Sequence, residues 1–532
     1  WRDWSSDVCS SDLAVNTAPV ALGFSEIVVN SSLSGTGAIT LAGHVNWTQG
    51  DFAAPVTIAA GSVVDMNPGG GHGISGTTTN NGTLNINTSF TLSAGHIDNN
   101  GLISLNGSHT IGIYYGTPGI FNHGTVIKPS ASAGTYNMGV PLTNYSDGSV
   151  VVENGELYVS SDFTNAGSLS VSAGATFRAN RTRVQDGASF TGMGTYVVFS
   201  NGLTAENTTN VNFDLAETDL SASLSGSGPL TFTQHVSWKN ANLNCPVTIA
   251  AGGILDLTTN GGHGIGNTLT NNGTMNANVS FHSGTVVNNG TLHLAGGITA
   301  SSTINNAGTL VKNTGGNVSV YFLNNTGSVQ VPGENLFLSG LTNAGAITIA
   351  GGANVQLNDY NTNSFETGAS LSGAGTFTLA APLTANGNAN IEVQTFVLAA
   401  TYYGITGTGI LTFSHVFDWQ SGSVGNTVVL ETGGVMNLSG PDFKNLSGTL
   451  TNNGTVNCDA DLDLYTGAII NNNSAFHLTN GSVFGSYYYF AGEFNNAGSL
   501  DKSSPGVLSF NTFLNNLPGG SVSIDQGSME VG

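Results

Sequence analysis

One short motif dominates the chain: Asn-x-Gly-(Thr/Ser)-aliphatic-x-aliphatic. It reads NNGTLNI at 80–86, NNGTLHL at 288–294 and NTGSVQV at 325–331. Its glycines include Gly82, Gly101, Gly124, Gly148 and Gly167, then Gly273, Gly290, Gly308, Gly327 and Gly345, then Gly454, Gly498 and Gly520, with an imperfect NNNSAF near Asn473 between Gly454 and Gly498; steps between successive units of a copy run from 17 to 24 residues. Self-similarity at a period of about 20 is too short for a propeller blade of roughly 40 residues and fits one coil of a solenoid. Asn and Gly tolerate left-handed backbone angles, so the motif is expected to turn a corner. The alternation after it places one face inward, for instance Leu292 and Leu294, with His293 outward. One coil cannot bury that face alone, but a stack can. Corner asparagines are expected to bond to one another from coil to coil.

The expected fold is therefore all-β, a right-handed parallel β-helix, since parallel crossovers take that hand. Residues 14–532 at ~20 per coil give roughly 26 coils.

A longer period overlies the short one. SLSGTGAITLAGHVNW, SLSGSGPLTFTQHVSW and GITGTGILTFSHVFDW end at Trp47, Trp238 and Trp419. This divides 14–532 into three divergent copies at approximately 14–204, 205–385 and 386–532, the last expected to be truncated. Nothing before Ala14 has a counterpart in the later copies. WSSDVCSSDL, Trp4 to Leu13, back-translates into something close to a common sequencing adapter, so residues 1–13 are read as artefactual and set apart from the fold.

Charged residues make up 8% of the chain, against roughly 25% in ordinary domains. Net charge is −22 with only nine Lys and Arg, which excludes a phosphate-binding groove and hence nucleic acid as a partner. No apolar run approaches the ~20 residues of a membrane helix, so no membrane insertion is expected within this stretch. Three cysteines make no disulfide framework.

Several residues stand out against this background. Trp47, Trp238 and Trp419 share the inward parity and are expected to pack in the core. Lys128, Lys312 and Lys502 stand four past a motif glycine, where other coils carry an aliphatic. An unpaired buried ammonium is costly, so the strand is expected to end early there, with the side chain snorkelling to solvent or bonding corner carbonyls. VNCDADLDL alternates along one expected strand, with Asp459, Asp461 and Asp463 outward, a candidate Ca²⁺ site and the one cofactor considered. GGGHG at His72 and GGHG at His263 have GPDF in their place in the third copy and are read as inserted loops. IYYG at 113–116 and SYYYF at 486–490 are exposed-ring candidates for glycan stacking, with core or lateral packing as the equal alternative. Arg178, Arg181 and Arg183 with Asp186 form the one Arg cluster. No outward threonine row recurs at one position, which argues against ice binding.

Phrases such as IFNHGTVIK, INNAGTLVKNTGG, FLNNTGSVQV and LTNAGAITIAGGANVQL resemble the Asn/Gly-rich repeats of large secreted bacterial surface proteins of the adhesin type. The resemblance spans nearly all of 14–532 and implies a β-helical stalk, extracellular or on the cell surface, with glycans or a host or matrix surface as partners. It carries no catalytic motif, so no functional residue is transferred from it. The expected function is a non-catalytic structural or adhesive stalk. The alternative is a polysaccharide-active enzyme of the pectin-lyase-like type, which needs carboxylates converging across coils.

Overall fold

Alternating β-branched or aromatic residues with Ser, Thr and Asn give strands that bury one face and hydrate the other. The computed structural model describes residues 17–259, 261–359, 361–479, 483–485 and 492–531. Among these, regular structure is entirely β, and the strands pair in parallel with those of the next coil. The chain divides into two compact units, Trp1–Leu269 and Thr270–Gly532. Each is a parallel β-solenoid. The adapter-like residues 1–13 lie outside the described residues, as does SYYYF.

A coil of the first unit shows the plan. Ser149–Val152 forms one side and Glu156–Asn165 the next two. Against Thr176–Val184 the long strand shifts register between Val159 and Asp162, where it bends. The corner Asn165-Ala166-Gly167 then returns the chain to Ser168–Val171, directly over Ser149–Val152. Val150, Val152, Leu157, Val159, Phe163, Leu169 and Val171 all face a dry interior. The second unit repeats this: Thr299–Asn306 pairs with Val318–Asn325, and Thr309–Lys312 with Ser328–Val331. Rings stack along the interior, Phe190 on Phe213 at 4.1 Å in the first unit and Phe413 on Phe417 at 4.5 Å in the second.

The corner asparagines form buried ladders. In the first unit Nδ2 of Asn80, Asn99, Asn122 and Asn144 each donates to Oδ1 of the next, ending at Asn165, over 2.6 to 2.8 Å. In the second, Asn271, Asn288, Asn306, Asn325 and Asn343 do the same, and so do Asn452, Asn472, Asn496 and Asn516. Most rungs send their second Nδ2 hydrogen to a strand carbonyl, as Asn306 does to Ser328 O at 3.0 Å. Inner rungs are thereby satisfied by their own repeats, while the end rungs Asn165, Asn271 and Asn343 each keep one buried amide atom without a partner.

The motif glycine has a different role from the one its type suggests. Gly101, Gly290 and Gly308 are not left-handed. A Cβ on Gly308 would stand 2.1 Å from the carbonyl oxygen of Gly290, and one on Gly101 2.1 Å from that of Gly82. Glycine is required because coils touch backbone to backbone at the corner. The left-handed glycines lie in another loop of the coil, as at Gly252 (φ 84°) and Gly352 (φ 80°).

Candidate functional site

The three tryptophans are fully buried and each satisfies its indole within its own turn: Trp47 to Gln49 O, Trp238 to Ala241 O and Trp419 to Gly422 O, at 3.0, 2.9 and 3.2 Å. His72 and His263 start strands rather than sitting in inserted loops. They are buried edge-on to Trp47 and Trp238, and each Nε2 meets that tryptophan's carbonyl oxygen, at 3.2 and 3.0 Å. Lys444 takes the same position in the third copy: it pairs with Gly422 as His263 pairs with Ala241. Glycine-rich flanks made these histidines look like loop residues.

Lys128, Lys312 and Lys502 are fully buried, so none snorkels. Their strands run to the lysine itself, and Lys128 pairs with Val152 as an aliphatic would. The loop that follows brings carbonyls within reach, so the ladder need not break. Lys128 Nζ donates to Ser132 O at 2.5 Å, and burial lowers its pKa. Lys312 Nζ donates to Asn313 O, Gly333 O and Glu334 Oε2. Lys502 Nζ reaches Ser504 O, Gly506 O and Gln526 O.

The acidic triplet does not form one outward row. The strand stops at Cys458, the chain turns, and pairing resumes with the Leu462–Phe484 bridge and the strand Asp463–Leu464. Asp459 lines a groove with Asp418 and Asn437. Asp461 accepts from Val483 N at 2.9 Å, and Asp463 is half-buried, its pKa raised by desolvation. Among the described residues no group of three His, Cys, Asp or Glu is placed to hold a metal ion. Cys245 and Cys458 are buried thiols pushed up to about 12 by burial.

The arginines are neutralised one by one. Arg178 meets Glu156 at 3.0 Å and lies 4.2 Å from the Tyr158 ring; Arg181 meets Asp162 at 3.5 Å and Arg183 meets Glu206 at 2.6 Å. Asp186 instead accepts four hydrogen bonds from Thr208 and Thr209, which hold it well below the usual carboxylate range. These groups do not converge on one point.

Exposed rings do converge in the second unit. Ala399 pairs with Ser421 and Gly404 with Ser423, so residues 400–403 bulge opposite Gly422. The bulge throws Tyr402 and Tyr403 outward, 88% and 42% exposed. Gly422 (φ 95°) makes room for it: a Cβ there would meet Tyr403 O at 2.4 Å. Two coils on, Phe443 stands 82% exposed, and Tyr465 follows at 51%. With Thr401, Ser423, Asp442, Asn445 and Asp463 these rings line a cleft of about 510 Å³. A neighbouring cavity of about 340 Å³ shares Phe443 and Asp463 and is bordered by Lys444.

Sequence reasoning missed the rings of this site, Tyr402, Tyr403, Phe443 and Tyr465, as well as Lys444. The buried Nζ of Lys444 donates to Gly440 O at 3.1 Å and Asp442 O at 2.9 Å, clamping the loop that presents Phe443. Desolvation lowers its pKa. The available signal was TYYG at 401–404, which echoes IYYG at 113–116. Tyr114 and Tyr115 are also exposed, edge-on at 5.7 Å.

The class defined so far is a parallel β-solenoid repeat protein with a ring-lined surface cleft. A scan of protein-family models finds no match, and neither the curated proteins nor the solved structures contain one.

Proposed function

We propose that the chain is a non-catalytic structural and adhesive scaffold, extracellular or on the surface of a bacterium. It acts through many weak contacts repeated along its coils, which avidity sums. The observation that carries this reading is the gathering of Tyr402, Tyr403, Phe443 and Tyr465 on one surface of a fold whose corner asparagines and buried lysines are held by ladders and loops. Large rings held out in water mark a contact surface. The pattern of charges supports the same reading over a polysaccharide-cleaving enzyme. Arg178, Arg181 and Arg183 each face a separate carboxylate, and Asp186 is held by threonines.

The test is retention on surfaces coated with plant, bacterial and host glycans, run beside release of reducing ends from the same polymers. Retention without release is expected. Release of reducing ends, or no retention on any glycan or matrix surface, would overturn the reading.

A further inference from the structure

The cleft also has a chemistry and a direction. Gly404, Ser423, Asn445 and Asp463 stand in register on four successive coils. Tyr402 lies two residues before Gly404, and Phe443 two residues before Asn445. Tyr402 stands in the bulge and Phe443 in the loop before Lys444, on coils two rungs apart, so their coils are separated by roughly 9.6 Å along the axis. Tyr465 is on the next rung but two residues beyond Asp463, so it flanks the cleft to one side of the Tyr402–Phe443 line. A separation of two rungs is close to the disaccharide repeat of an extended β-linked glycan, whose pyranose faces stack on flat rings.

The polar lining fits hydroxyl groups. Asp442, Asp463, Asn445, Thr401 and Ser423 offer acceptors and short donors between the rings. The charge of the lining is acidic, and the neighbouring ammonium of Lys444 is turned onto the Gly440 and Asp442 carbonyls, its residue 1% exposed. A polyanion would meet carboxylates here without a counter-charge. The volume lies within the range of ordinary ligand sites.

We infer that this cleft binds a neutral, extended β-linked chain of hexose or N-acetylhexosamine units lying along the solenoid axis across Tyr402 and Phe443, with Tyr465 at the side of the cleft. The inference rests on the adhesive reading and names the ligand class of that surface. Lys444 is a positioning residue: it sets the loop that carries Phe443 and does not touch the sugar.

The experiment is calorimetric titration of the full chain with cellohexaose, chitohexaose and hexagalacturonate. At least one neutral hexasaccharide is expected to bind, with hexagalacturonate at least tenfold weaker. Tyr402→Ala and Phe443→Ala are each expected to weaken binding at least tenfold with an unchanged circular dichroism spectrum, since both rings are exposed. Phe443→Tyr keeps a ring and is expected to keep binding. Neutral binding unaffected by either alanine variant would overturn the cleft assignment, as would absence of neutral binding or equal binding of hexagalacturonate. If the alanine variants still hold to glycan-coated surfaces as wild type does, the cleft assignment fails while the adhesive reading stands.

Discussion

Replacing Asn306 with alanine tests the buried ladder at its centre. Asn306 Nδ2 donates to Asn325 Oδ1 at 2.8 Å and to Ser328 O at 3.0 Å, and its Oδ1 accepts from Asn288 at 2.7 Å. The variant loses two donated bonds, worth about 1 kcal/mol each. It also strips Asn325 Oδ1 of its donor in a dry site and takes an acceptor from Asn288, adding about 1–2 kcal/mol. Asn288 keeps its bond to Thr309 O, which limits the second part. The sum is roughly 3–4 kcal/mol. Repeat arrays open locally, so one global midpoint is the wrong measurement. Amide hydrogen exchange across 303–331 is the right one, with an acceleration of roughly 10²–10³-fold expected there. The control is Asn305→Ala, which removes a half-buried acceptor of Asn324 and is expected to cost under about 1 kcal/mol. Equal exchange in the two variants would refute the argument, because the ladder would then contribute nothing beyond a surface amide pair.

The other expectations follow from the same structure. Gly308→Ala forces a Cβ to 2.1 Å from Gly290 O and is expected to cost about 3 kcal/mol, whereas Gly352→Ala has open space and pays only left-handed strain of about 1–2 kcal/mol; paired exchange measurements compare them. Lys128→Met replaces an ammonium held by Ser132 O and is expected to be neutral or stabilising, while Lys312→Met strips three acceptors and is expected to lose about 2–4 kcal/mol, read by thermal melting. His235 lies between Glu217 and Asp256 on neighbouring coils; partial burial opposes its charge, but the bonds to Asp256 and Glu217 outweigh it and raise its pKa. A raised histidine contributes stability below its unfolded value of about 6.5 and loses it as pH rises through the folded value. The melting advantage of wild type over His235→Gln is therefore expected to be largest near pH 5.5 and to fall by pH 8.5. An advantage that grows with pH would refute the assignment.

The stacked parallel strands were legible because every coil repeats the same inward parity: Leu292, Leu294, Val329 and Val331 are all buried where alternation places them. The role of the motif glycine was not, since the carbonyl that would stand 2.1 Å from an added Cβ belongs to a coil about twenty residues earlier and leaves no local mark. VNCDADLDL misled because perfect alternation does not show that the chain turns after Cys458. The bulge at 400–403 and the clamp at Lys444 were invisible for a related reason: neither recurs in the other copies, and both depend on register between strands far apart in sequence.

The corner geometry also bears on how the chain ages. Asn-Gly is the dipeptide in which the glycine nitrogen most readily attacks the preceding side-chain amide and closes a succinimide. At Asn100-Gly101 and Asn289-Gly290 that N–H already donates to a backbone oxygen of the coil below, Asn80 O at 2.9 Å and Asn271 O at 3.0 Å. At Asn453-Gly454 it donates to Asn452 Oδ1, also at 3.0 Å. Winding thus occupies the attacking atom at Gly101 and Gly290, so deamidation at those two corners waits on unwinding and its slow appearance is a clock for coil opening.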